Sequence, residues 1–596
     1  MFRRKEDTLS PDPSYPADLK ELGFFINKLG HIRMIDAPEK PFVFHSLNDD
    51  RHNEVRNEAL HACSRAEVTE RLSKLGIKQL YFPHLVTTKP NGPHVPILAP
   101  PPDVLKTRKR VIVVVNDASQ DLGILAYRQL QRELGLNGGS VINFAKEIIR
   151  RSAVAKNDEG SCNTTDIFHD GAGVQDDSDI PGLIVMNTGQ LLYSHRYNRS
   201  MTMRSWCAMP RKSIAHDPIK IHDQENYIEG HRTPTEHIRS VFDLLLCNPD
   251  RIAPDAEVYI IAIEGGADKV LDVFKKDFDK YGSRVTAMAI VHSLVDNSEI
   301  THPSLKAFLH QRTRQWKYTD LSSDPGQCVD LPDDYSSDAS SQTASKGAKS
   351  IHWNEEILRS GSLSEVTKTM HRLALNIVSP TDDDNNKTAP TEPDTKASAE
   401  WTGGSVLCPT FAGADEPAGE CIMTNPTVQH AILSFFDQVA HDPAHYRNPP
   451  FLTFTDPPRP TADAPFALSA VPEASDMQSA IPLATPEQEA LDEARTTLLD
   501  LRTALGASPA DDKQLANGRE RLARKIANQE TAIEELEVAA LSSGSLRPGE
   551  VEDLRRDWRP KIDGPRVPFA GTMVDSELLR AAGLGEMADR EVEKLG

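Results

Sequence analysis

The run Arg110-Val111-Ile112-Val113-Val114-Val115-Asn116 leaves no position for a wet face. Alternating polar residues would mark a strand with one solvated side. An unbroken β-branched run marks a strand covered on both sides, the condition of a parallel sheet held between helices. The segments that follow keep this rhythm. Residues 122–134 set Leu125, Leu130 and Leu134 on one helical stripe, 183–186 read as strand, and 236–246 read as a helix opened by Thr233-Pro234-Thr235. Strand is expected again at Glu257–Ile263, helix at 268–278, strand at 284–292, helix at 304–317, then a last strand and helix at 405–411 and 427–440. Segments 31–35, 41–44 and 79–82 add an antiparallel edge. Such alternation predicts an α/β fold with a doubly wound, mostly parallel sheet.

That sheet does not occupy the whole chain. With 596 residues, 38% hydrophobic against a usual 45–50%, 42 prolines and a mean hydropathy of -0.46, much of the sequence buries too little apolar surface to repay its ordering entropy. The poor stretches are local. Residues 156–179 are rich in Asp, Gly, Asn and Ser, and 322–400 contain runs such as Asp382-Asp383-Asp384-Asn385-Asn386. Both are expected as disordered inserts in a domain spanning 15–440, with a short helical island near 355–375. A proline-rich linker is expected over 441–486. Beyond it, Leu491, Ala494, Leu498, Leu501 and Leu505, then Leu515, Leu522, Ile526, Ile533 and Leu536, predict a helical hairpin or coiled coil over 487–541, packed on itself or on a partner helix. A partly helical tail over 542–596 completes the chain.

Charge and cysteine use narrow the function classes. A net charge of -21 argues against a broad phosphate-binding surface, while leaving room for a local patch. No apolar run approaches membrane-spanning length, and no apolar segment follows the basic residues near Met1, so neither a membrane nor a secretory role is expected. The seven cysteines are scattered without a CxxC pair, as expected of reduced thiols.

Ligands of a doubly wound sheet collect at the carboxyl ends of its strands. There the turn Ile263-Glu264-Gly265-Gly266-Ala267 has the small residues of a nucleophile elbow, yet offers Glu264 where a hydrolase holds its serine. A carboxylate serves as a nucleophile in some enzymes, but the simpler expectation is a degenerate elbow of Glu264, Gly265 and Gly266 without catalysis. Candidate relay partners His292, Asp296 and His302 follow the next strand, and His430 is expected on a helix surface. His216, His222, His231 and His237 are spaced 6, 9 and 6 apart, which misses the helical spacing of metal ligands and reads as hydrogen-bonded loop histidines. Gly138-Gly139-Ser140 lacks the lysine of a phosphate loop and reads as a turn. Residues 312–317 (Arg-Thr-Arg-Gln-Trp-Lys) read as a solvated helix face with Trp316 packed inward. No metal and no cofactor is expected.

Several separated blocks together resemble the argonaute-binding (Arb-type) domain family of fungi, a domain also found at the C-terminus of fungal class II histone deacetylases. They are Gly23-Phe24-Phe25-Ile26-Asn27, residues 181–193, Asn226-Tyr227-Ile228-Glu229-Gly230-His231 with Pro234-Thr235-Glu236-His237, the Glu264-Gly265-Gly266-Ala267 turn, Val291-His292-Ser293, Cys408-Pro409-Thr410-Phe411-Ala412-Gly413, and Gly419-Glu420-Cys421-Ile422. The resemblance covers about the first 440 residues. It implies an α/β-hydrolase-like frame used for binding, with argonaute and a second argonaute-binding subunit as partners and small interfering RNA reached indirectly. It implies work in RNA interference and heterochromatin formation, in nucleus and cytoplasm. A histone deacetylase complex is the alternative partner, and an esterase of the α/β-hydrolase type the alternative function.

Overall fold

The structure is a computed structural model that describes residues 9–132, 134–154, 179–332, 335, 406–414, 417–451, 453, 486–543, 566–569 and 572–575. The chain opens with a small antiparallel hairpin, β1 (Phe24–Ile26) and β2 (Ile32–Met34), and the long helix α1 (Asp50–Lys74). Asp49 caps α1 by accepting from the His52 N–H at 3.0 Å. The strands β3 (Lys78–Phe82), β4 (Val95–Ala99) and β5 (Arg110–Val115) lead to α2 (Val141–Val154). β6 (Gly182–Val185) precedes a second hairpin of β7 (Leu192–Ser194) and β8 (Arg199–Met201). Then come α3 (Pro234–Val241), β9 (Glu257–Ile263), α4 (Gly265–Tyr281), β10 (Ala287–Val291), α5 (Pro303–Arg312), β11 (Thr313–Lys317) and β12 (Cys328–Asp330). β13 (Thr410–Ala412), α6 (Gly419–Thr424) and α7 (Pro426–His441) end the sheet-forming part.

Nine strands form one sheet in the order β12-β13-β11-β10-β9-β5-β6-β4-β3. The six from β13 to β6 run parallel, with antiparallel strands at both edges. The unbroken apolar run of β5 is explained by the two layers it separates. Ile112 and Val114 join a core with Leu60 and Val68 of α1, Ile148 of α2 and Ile432 of α7. Val111, Val113 and Val115 join the other core, with Ile238 of α3, Phe274 of α4 and Leu309 of α5. At about 25 cal/mol per Å2 of apolar surface, this two-sided burial is the main term holding the sheet. The expected fold class is observed.

Three expectations need correction. The helix read over 304–317 stops at Arg312, and Thr313–Lys317 is a buried strand hydrogen-bonded in parallel to β10 and β13. Its polar side chains misled the periodicity because their partners lie far along the chain. Arg314 donates to Gln438 and to the Tyr446 hydroxyl, both at 2.9 Å, and its guanidinium sits 4.4 Å from the Phe435 ring centre. Trp316 does point inward, at 1% exposure. The helix read over 122–134 shrinks to Tyr127–Gln131, because Gly123 takes a φ of +83° and bends the chain before it. Segment 31–35 contributes β2 to the separate hairpin instead of the main sheet, and 41–44 makes only a single bridge from Pro41 to Arg33.

Two long helices, α8 (Pro486–Ala507) and α9 (Ala516–Ser543), form the expected hairpin around Leu491, Leu498, Leu522, Ile526 and Ile533. The hairpin also meets the first strands. The Lys28 N–H donates to Ala507 O at 2.9 Å, Lys20 pairs with Asp512 at 2.9 Å, and Lys525 pairs with Glu39 at 2.5 Å. The inserts read at 156–179 and 322–400 lie mostly outside the described residues, as do most of the proline-rich stretch and of the tail. Among the described residues, no helix is long and apolar enough to cross a membrane.

Candidate functional site

Strand order reverses around β5, since the chain places β6 on one side of it and β9 on the other. The crevice beyond the carboxyl ends of such strands is where a doubly wound sheet presents its ligand groups. Asp117 follows β5 there, and Glu264 follows β9.

Glu264 has φ +47° and ψ -125°, a backbone conformation that L-residues rarely adopt. Its surroundings enforce it. A Cβ on Gly266 would lie 2.5 Å from Val115 O and 2.6 Å from Asn116 O, and one on Gly265 would strike the Asp117 carboxylate. The turn therefore presses against the end of β5 and aims the Glu264 side chain out of the strand end. The Glu264 N–H is fixed to Val291 O at 2.8 Å, and its carbonyl accepts the first bond of α4 from Ala267 at 2.8 Å.

What that side chain meets is another part of the same chain. Glu264 Oε1 accepts from the Gly419 N–H at 2.5 Å and is also bonded by the Glu420 N–H, so the carboxylate caps the first turn of α6. The approach is close: a Cβ at position 419 would lie 2.5 Å from Glu264 Cγ and 2.6 Å from His292 Cβ. Glu420 folds back beside this cap, its Oε2 accepting from Gln120 Nε2 at 2.5 Å. Burial, then the neighbouring Glu264, pushes the Glu420 carboxyl up to about 7. Burial also raises Glu264 against the lowering effect of its two backbone donors, with Asp117 adding to the rise. Asp268 is raised by burial too, and accepts from Ser293 Oγ at 2.8 Å.

His292 stands at the end of β10 with φ +56°, its N–H donated to Trp316 O at 2.9 Å. Burial, with Lys317 nearby, lowers its imidazole to about 4, and its Nδ1 has no hydrogen-bond partner among the described residues. The remaining expected partners are elsewhere and do structural work. Asp296 closes a capping box with Glu299, His302 caps α5, and His430 lies on the surface of α7 beside Arg151. Among the loop histidines, His231 and His237 form a buried pair with Nδ1 atoms 2.8 Å apart, both lowered by burial. His216 bonds Ser213 at 2.7 Å, and the ring of His222 accepts from the Glu225 N–H at 3.2 Å. No group of His, Cys, Asp and Glu among the described residues is arranged to hold a metal ion. Gly139 lies against the Leu130 backbone with no space for a Cβ, as a packed turn.

Sequence reasoning did not single out Asp117, Gln120 or Glu420 as site residues. Asp117 directly follows the apolar run of β5, and its place at a strand end was the available signal. Glu420 is separated from Glu264 by the long insert, and nothing in its spacing links it to the turn.

The sequence model of the Arb2 domain matches residues 15–322, half of the chain, from before β1 through β11. It includes Glu264, Gly265 and Gly266 and ends before Gly419 and Glu420. No curated protein and no solved structure is significantly similar to the chain. A matched span that begins with the first hairpin and carries the sheet through the glutamate-bearing turn places this chain in the Arb2 domain family.

Proposed function

We propose that this chain is a protein-binding adaptor without catalytic turnover, built on an α/β-hydrolase-like frame. On this reading it resembles the argonaute-binding subunit of a small-interfering-RNA chaperone complex, serving RNA interference and heterochromatin formation in nucleus and cytoplasm. Family membership supports the argonaute-related setting. The observation that carries the non-catalytic part is the engagement of Glu264. The one side chain held out at the elbow accepts from the Gly419 and Glu420 N–H groups at the N-terminus of α6, so its carboxylate is engaged inside the protein. Nucleophilic catalysis needs that group open to substrate and aligned with a base.

A second reading is favoured by one feature of the site. Two carboxyl groups side by side, one of them raised to about 7, are the usual arrangement of an acid–base pair. Under it the chain is an esterase-type hydrolase working through Glu264 and Glu420. The partner set distinguishes the adaptor from both this and a free-standing deacetylase module. Affinity purification of the full chain from cross-linked native extract, followed by mass spectrometry, is expected to recover argonaute with a second argonaute-binding subunit. Recovery of deacetylase subunits without argonaute moves the chain to the chromatin alternative, and recovery of neither overturns the adaptor reading.

A further inference from the structure

The chain is acidic overall, yet one stretch of its sequence is not. Between positions 180 and 222 the only acidic residue is Asp217, against Arg196, Arg199, Arg204, Arg211, Lys212 and Lys220. Arg196 stands on the β7–β8 turn, residues 195–198, and Arg199 follows it as the first residue of β8. Tyr197 is exposed there, at 37%, with the guanidiniums of Arg196 and Arg199 at 5.5 and 5.7 Å from its ring centre.

The turn is held in shape. Asn198 has φ +45°, accepts from the Tyr193 hydroxyl and from the Gly92 N–H at 3.3 Å, and donates to Pro90 O at 3.4 Å. Those bonds bring the 83–94 loop, with exposed Lys89, alongside it. The cations here differ in exposure. Arg196 and Lys89 are exposed, whereas Arg199 is half-buried, its charge facing Glu58 and Asp121 as well as Arg65, and its Nε has no acceptor among the described residues. The nearby acids are already used or stand to one side. Arg65 pairs with Glu58 and with Asp121, and Arg204 pairs with Asp121, while the Glu225 carbonyl meets His195 on the flank of the turn.

We propose that this turn, with Arg196 and Tyr197 and with Lys89 of the loop beside it, is a contact site for single-stranded nucleic acid. Arg196 and Lys89 take the phosphates, and the exposed ring of Tyr197, with Arg199 packed against it, offers a face on which an unpaired base lies. An acidic peptide would meet the charges but would leave that face unused. The site is small, so its affinity depends on the salt-sensitive charge contacts and on few bases. The inference stands apart from the adaptor reading, because it concerns a different surface and a different class of partner.

The test is fluorescence anisotropy of a short labelled oligouridylate titrated with the full chain at low and moderate salt, with polyglutamate as the competing polyanion. Arg196→Glu and Tyr197→Ala lie on the exposed turn and are expected to leave the melting curve unchanged. Each is expected to weaken binding by about five- to a hundredfold, with affinity falling as salt rises. Displacement by polyglutamate at equal charge concentration, with Tyr197→Ala without effect, would overturn the proposal in favour of an acidic protein partner. Absence of any binding at low salt would overturn it outright.

Discussion

Glu420 is the residue on which the site's electrostatics turn. Its carboxyl is raised to about 7 by burial and by Glu264, against an unfolded value of about 4.3. A carboxyl raised on folding binds its proton more tightly in the native state, so stability falls as pH climbs between those two values and stays low above the upper one. Replacing Glu420 with Gln keeps a partner for Gln120 and removes the charge. The expected result is a variant more stable than wild type by on the order of 4 kcal/mol at pH 8, with the two converging near pH 4, read by urea unfolding across that range. The strained Glu264 itself was legible in the sequence, because a glycine pair after an apolar strand marks a tight strand-to-helix turn. Its occupation by Gly419 was not, since the partner arrives from beyond the insert.

At the scale of elements, periodicity was informative where side chains are apolar and silent where burial is paid in hydrogen bonds. β5, β9 and β10 were readable as buried strands because both faces are almost wholly apolar. β11 was not, since Arg314 and Gln315 gain their partners only in the assembled sheet. The long α1 escaped the reading for the same reason: Arg51, Asn53, Asn57 and His61 are among its buried residues. The C-terminal hairpin mixes both kinds. Its leucine stripe was evident, but its seam also encloses an ion pair, Arg495 to Glu537 at 3.1 Å, with side chains 8% and 2% exposed. Removing one partner leaves a buried charge, whereas removing both leaves an apolar seam. Glu537→Ala is therefore expected to destabilise the hairpin by about 3 kcal/mol, and Arg495→Met with Glu537→Leu to restore it. Hydrogen exchange of α8 and α9 amides checks this, and a double variant as unstable as the single one would refute it.

Across the whole molecule, one end of the sheet gathers unlike surfaces. The carboxyl ends of β5 and β9 carry Asp117, Glu264 and Asp268 beside Glu420 of α6, and the turn beyond β7 carries the exposed Arg196. Elsewhere the segments around the first hairpin and the C-terminal helical hairpin meet through the Lys20–Asp512 and Lys525–Glu39 pairs. On this account the elbow is a structural joint that locks residues 419–441 onto the sheet, and function lies in the surfaces the joined body presents. The direct test is turnover. Full-length protein and Glu264→Gln are assayed in parallel on a panel of aryl and alkyl esters and amides. The account predicts rates equal to the uncatalysed background for both proteins; hydrolysis by the wild type that Glu264→Gln abolishes would contradict it.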